Sequence, residues 1–192
     1  MKNQFVALVL LVAVILTVGA AIVFHAPRQN PPIVRPLPPV TRDIQSEILT
    51  KQYVAALDVA RVFGRSQGCE NIDPQTISDV ATEAIADELD PRVLAATMAV
   101  ESSCDPLAVS NHGAIGRMQI MPRVWKEKFD FTKVNLFNPG ENLHVGALIL
   151  KGFIKQYGLQ AGVRHYNGTG TASDAYDGTY VSKILALAGR KS

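Results

Sequence analysis

The stretch Ala99–Pro122 reads AVESSCDPLAVSNHGAIGRMQIMP, and the rest of the chain is organised around it. It opens as the end of an apolar helix carrying one acid, Glu101. It continues as a loop rich in Ser, Asn and Gly and closes on Gln119-Ile120-Met121-Pro122. An acid at a helix end, set against apolar residues and facing a loop that can shape a cleft, points to acid/base chemistry.

Upstream, the pattern is helical. Ile44, Ile48, Leu49, Tyr53 and Leu57 recur at helical spacing behind Asp43, a candidate cap, and predict a helix to about Phe63, stopped by Gly64. Pro74 marks the start of the next helix, with Ile77, Val80, Ala81, Ala84, Ile85 and Leu89 as its stripe. Asp90-Pro91 restarts the chain as cap and first helical residue. The helix that follows is small and apolar on several faces (Val93, Leu94, Ala95, Ala96, Met98, Val100), which predicts a central, buried position.

Downstream, Pro122 starts a short helix with Val124 and Trp125, and Asn138-Pro139-Gly140-Glu141 has the form of a capping box. That box opens a helix ended by Gly158. Gly162–Gly170, GVRHYNGTG, reads as a second glycine-rich loop, and Tyr176–Leu187 as a last helix. No run of alternating strands and no internal repeat is visible. The fold class is all-α or nearly so.

The 192 residues allow one domain plus an appendage. Phe5–Phe24, FVALVLLVAVILTVGAAIVF, carries no charge. As a helix, about twenty such residues rise roughly 30 Å, the thickness of a bilayer core. With Lys2 before it, the run reads as a membrane anchor that leaves the remainder exported. The alternative is a cleaved signal peptide, with Val18-Gly19-Ala20 as its small-residue site. His25–Val40 contains six prolines, which favour an extended spacer over a helix. The expected organisation is therefore an anchor or signal segment at 1–25, a proline-rich linker at 26–40 and a helical domain at 41–192. The expected location is the inner membrane, with the domain in the periplasm or cell exterior, or secretion after cleavage.

The formal net charge is +2 and no basic run stands out, so nucleic-acid binding has little support. Cys69 and Cys104 are the only cysteines, and in an exported chain an even pair implies a disulfide. His25, His112, His144 and His165 are scattered without recognisable ligand spacing, so no metal is implied, and no organic cofactor is either.

The residues Glu101-Ser102-Ser103, Pro106, Ala108, Ser110, Gly113-Ala114-Ile115-Gly116 and Met118–Pro122 resemble the soluble lytic transglycosylase family. Three blocks follow in the expected order. Asn138-Pro139 with Glu141-Asn142-Leu143 and Gly146-Ala147 is similar to the family's "NPxENLxxGA" helix. His165-Tyr166-Asn167-Gly168 is similar to its "AYNxG" loop, and Tyr180–Leu185 to its "YVxKVL" helix. The blocks cover about residues 91–187. The resemblance implies a lysozyme-like helical fold with a sugar-binding groove. It also implies cleavage of the β-1,4 bond between N-acetylmuramic acid and N-acetylglucosamine in peptidoglycan glycan strands.

The resemblance makes Glu101 the catalytic acid, acting alone and leaving 1,6-anhydromuramic ends. In the motif blocks no second acid is an obvious partner, and Asp105 reads as a loop cap. An apolar wall should raise the pKa of Glu101. Ser110 would hydrogen-bond near Glu101 or the substrate acetamido group. Gln119 and Met121 would line the groove, Tyr166 would reach Glu101, and Asn167 would hold the second loop. Gly113 and Gly116 are assigned to backbone conformation. Arg117 departs from the pattern and is expected to point to solvent or meet a carboxylate of the wall's peptide stems. Val124 costs the next helix its cap, and His165 reads as a surface residue or one that tunes the site. Two other readings are a muramidase resembling goose-type lysozymes, and a wall-binding component of a secretion, pilus or phage entry machine.

Overall fold

The computed structural model describes residues 42–168 and 174–190, with the side chains of residues 174–178 left aside. The Phe5–Phe24 run and the proline-rich segment lie outside the described residues. Among the described residues no helix is long and apolar enough to cross a membrane.

These residues form seven helices and no strand: α1 Arg42–Phe63, α2 Pro74–Ala86, α3 Pro91–Ser102, α4 Pro122–Trp125, α5 Pro139–Tyr157, α6 Leu159–Tyr166 and α7 Asp174–Leu187. The starts follow from local chemistry. Asp73, Asp90 and Asn138 each sit in extended backbone, accept hydrogen bonds from the first-turn N–H groups, and are followed by proline. The capping box at α5 is only half made. Asn138 Oδ1 accepts from the Gly140 and Glu141 amides, but the Glu141 carboxylate turns to the Asn135 amide instead of the Asn138 amide.

Helix α3 is the centre of the core. Val93 through Ala99 are all buried, because α1, α2 and α7 pack around α3. Helix α5 packs on α2 and on α6. The core runs from Val59 and Phe63 of α1, through Leu94 and Met98, to Leu150 of α5 and Ile184 and Leu185 of α7.

Three expectations about the elements change. On α1 the buried face is Ala55, Val59, Val62 and Phe63, while Ile44, Ile48, Leu49, Tyr53 and Leu57 are exposed. Helical spacing marks a face but not whether anything covers it. Asp43 lies inside the first turn of α1 instead of before it. The supposed loop from Gly162 begins as helix α6, which runs to Tyr166. Gly162 is there for close approach: a Cβ would come within 2.6 Å of the Ile154 Cα on α5. The glycine lets the two helices touch backbone to backbone.

Candidate active site

The end of α3 carries Glu101 and is fastened from several sides. Ser103 adopts a left-handed cap conformation, and its N–H returns to the Ala99 carbonyl. Cys104 also has positive φ, and its sulfur is joined to Cys69 (S–S 2.04 Å, Cα–Cα 5.5 Å). The Ser102 hydroxyl donates to the Arg117 carbonyl at 2.8 Å. In the chain-entropy account, a loop of this length closed by a disulfide contributes about 4 kcal/mol. A Cys69→Ser/Cys104→Ser double variant should lose about 2–4 kcal/mol in urea unfolding. Unchanged stability would mean that the covalent tie is redundant.

The loop after Glu101 is built by backbone pairing. Ile115 exchanges both hydrogen bonds with Ile120, and the Gly116 amide donates to the Ala108 carbonyl. Asp105 caps the Leu107 amide, as expected of it. At Gly116 φ is +73°, and a Cβ would come within 2.4 Å of Asn142, so both conformation and space exclude a side chain. Asn142, on α5, is almost wholly buried and completes the loop. Its amide donates to the Ile115 and Leu136 carbonyls, and its Oδ1 accepts from the Met118 N–H at 2.8 Å. Met118 is fully buried against Gly146 and is core.

Arg117 does not reach outward. Its guanidinium folds back to the Cys104 carbonyl at 3.2 Å and the Thr76 hydroxyl at 2.9 Å, tying the loop to α2 and to the disulfide. Once half-buried with those partners in place, it has no reason to seek solvent.

Glu101 is largely buried, and among the described residues no cation pairs with it. Its hydrogen bond is from the Tyr180 hydroxyl of α7, at 2.5 Å. Burial pushes its carboxyl pKa up to about 7, against a smaller downward pull from Tyr180. Among the described residues no second acid enters that balance.

Beside it lies a cleft of about 260 Å³, lined by residues that include Gln119, Met121, Trp125, Phe153, His165, Tyr166 and Asn167. Glu101 is not part of that lining. Tyr166 joins the two: it lines the cleft, and the charge of Glu101 adds to burial in raising its hydroxyl pKa. The Tyr166 hydroxyl donates to the Met118 carbonyl at 2.7 Å, while the Tyr180 hydroxyl donates to Glu101.

Gln119 lines the cleft with its amide nitrogen donating to the Gly116 and Ala108 carbonyls, and Met121 stands just before α4. Asn167 caps the end of α6. Ser110 is outside the cleft lining, and its hydroxyl accepts from the His112 and Ala114 amides, which holds its own loop. His165 is a wall of the cleft, stacked on Tyr157 with ring centroids 3.9 Å apart.

The model of the family described as Transglycosylase SLT domain matches residues 79–184, more than half of the chain. The chain belongs to the SLT transglycosylase-domain family. The match runs from α2 to α7 and so includes Glu101, the loop that Asn142 locks, the aromatic cleft and Tyr180. A curated relative, the transglycosylase of Enterobacteria phage PRD1, is 32% identical over 108 residues, which are 53% of this chain and 40% of that protein. The chain thus spans less than half the length of that relative.

Tyr180 is the residue of this SLT domain that motif reading passed over as a site member. It stands 79 positions from Glu101 and shares its helix with the buried Val181, Ile184 and Leu185. In Tyr180→Phe the pull that lowers the Glu101 pKa is gone, so the acid stays protonated to higher pH. The falling limb of the activity–pH profile should move above pH 7, with a loss of about tenfold at the optimum. A limb left in place would remove Tyr180 from the chemistry.

Proposed function

We propose that this chain is a peptidoglycan lytic transglycosylase with a lysozyme-like helical fold, working through Glu101 alone. The observation that carries this is a carboxyl group buried with no cation beside it among the described residues, its pKa raised to about 7, and held by a tyrosine hydroxyl beside an aromatic cleft. A carboxylic acid of that pKa can give a proton and take one back near neutrality.

In this reading a glycan strand lies in the cleft, its rings against Trp125, Phe153 and His165. Glu101 protonates the oxygen that leaves from C1 of the N-acetylmuramic acid residue. The 2-acetamido group of that sugar stabilises the cationic centre. Glu101, now a carboxylate, takes the proton of the C6 hydroxyl as that oxygen bonds to C1. A 1,6-anhydro sugar forms, the acid recovers its proton, and no water is consumed. The Cys69–Cys104 disulfide supports placement in an oxidising compartment, with residues 5–24 as membrane anchor and residues 25–40 as spacer.

The test is the product of wall digestion, read by mass spectrometry. Anhydromuramic ends are the expected result. Reducing ends alone would mean that water, not the C6 hydroxyl, attacks C1, and would overturn the mechanism in favour of a muramidase.

A further inference from the structure

On the seam between α2 and α5 stand three groups that the catalytic chemistry does not use. Glu83, in the last turn of α2, and Asp87, the residue that ends it, lie four apart and share a face. His144 faces them from the second turn of α5, and the donor atoms of the three lie within 4.8 Å of one another. His144 Nδ1 and Glu83 Oε1 are 2.6 Å apart.

Asp87 is the unusual member, with only 7% of its surface exposed. Its Oδ1 accepts from Lys151 Nζ at 3.2 Å, but its Oδ2 is buried with no hydrogen-bond partner among the described residues. A buried carboxylate oxygen without a donor is costly, and proteins rarely leave one so. An imidazole nitrogen, a paired carboxylate and an unsatisfied carboxylate oxygen make a donor set of one nitrogen and two oxygens.

We propose that Glu83, Asp87 and His144 form a divalent transition-metal site that takes Zn²⁺. One nitrogen and two oxygens suit that ion, with the fourth position left to water on the exposed side of His144. The ion takes the place of the direct His144–Glu83 contact and supplies Asp87 Oδ2 with a partner. Lys151 keeps Oδ1, so its ammonium repels the ion while the two carboxylates attract it.

The site is structural. None of its groups contributes to the pKa of Glu101. It pins α2, which leads into the catalytic helix, to α5, which carries Asn142. The ligands escape sequence reading because the histidine lies 61 positions from Glu83 and belongs to no short motif.

The full chain, stripped with chelator, is titrated with Zn²⁺ by calorimetry, and its melting is followed with and without the ion. One saturable site and a rise in melting temperature are expected. His144→Gln should weaken binding by about tenfold or more. Because His144 is exposed, this variant keeps its fold and leaves the result readable. Asp87→Asn should act in the same direction. Lys151→Met should tighten binding, since a repelling charge is lost; a plain ion-pair network predicts no metal effect at all. His112→Gln should leave binding unchanged. No saturable binding in the parent chain, or binding that survives His144→Gln, would overturn the site.

Discussion

Glu101→Gln should lower wall-lytic activity by about a thousandfold, the range that a general acid supplies. Glutamine keeps the size of the side chain and an oxygen for the Tyr180 hydroxyl, so the site should hold its shape while losing its proton. The same substitution should stabilise the protein at alkaline pH, and the sign follows from linkage. The folded-state pKa is about 7, raised from 4.5. Between those values the folded chain binds more protons than the unfolded one, so stability falls as pH rises through that window. Above pH 7 the buried carboxylate costs at most about 3 kcal/mol, less whatever its residual contact with water returns. Glu101→Gln should recover most of that in urea unfolding at pH 8 and almost none at pH 4. Activity retained in the variant would end the single-acid mechanism. Equal stability gains at both pH values would mean that Glu101 is not buried as a charge.

Asn142→Ala should be the most damaging change away from the acid, at about 3–5 kcal/mol. It strands the Met118 N–H in the core and removes both donors that hold the Ile115 and Leu136 carbonyls. It also leaves a space beside Gly116, whose backbone was shaped around the missing amide. A fall in melting temperature on the order of 10 °C is expected. The loop that presents Gln119 and Met121 to the cleft should loosen with it, so KM should rise even at temperatures where the domain stays folded. A variant melting within a degree or two of the parent would show that the loop is held by its own backbone pairs.

Much of this arrangement is legible in the sequence because it is enforced locally. Asp or Asn before Pro states where α2, α3 and α5 begin, since cap and fixed φ act within one turn. The burial of α3 follows from its composition. What is not legible is decided across long separations. Tyr180 and Glu101 meet only because α7 packs on α3. Arg117 turns inward because Thr76 and the Cys104 carbonyl are waiting, a fact that spacing cannot carry. Gly162 was misread because a glycine at a helix contact and a glycine in a loop look the same in one dimension. The stripe on α1 was misread for the converse reason, since periodicity describes an element and not its neighbours.

The link between Cys69 and Cys104 gives the acid a history as well as a place. Until those sulfurs have been oxidised, the segment bearing Glu101 is secured by non-covalent bonds alone. Under the proposed function, lytic power would then mature only where the surroundings can oxidise that pair.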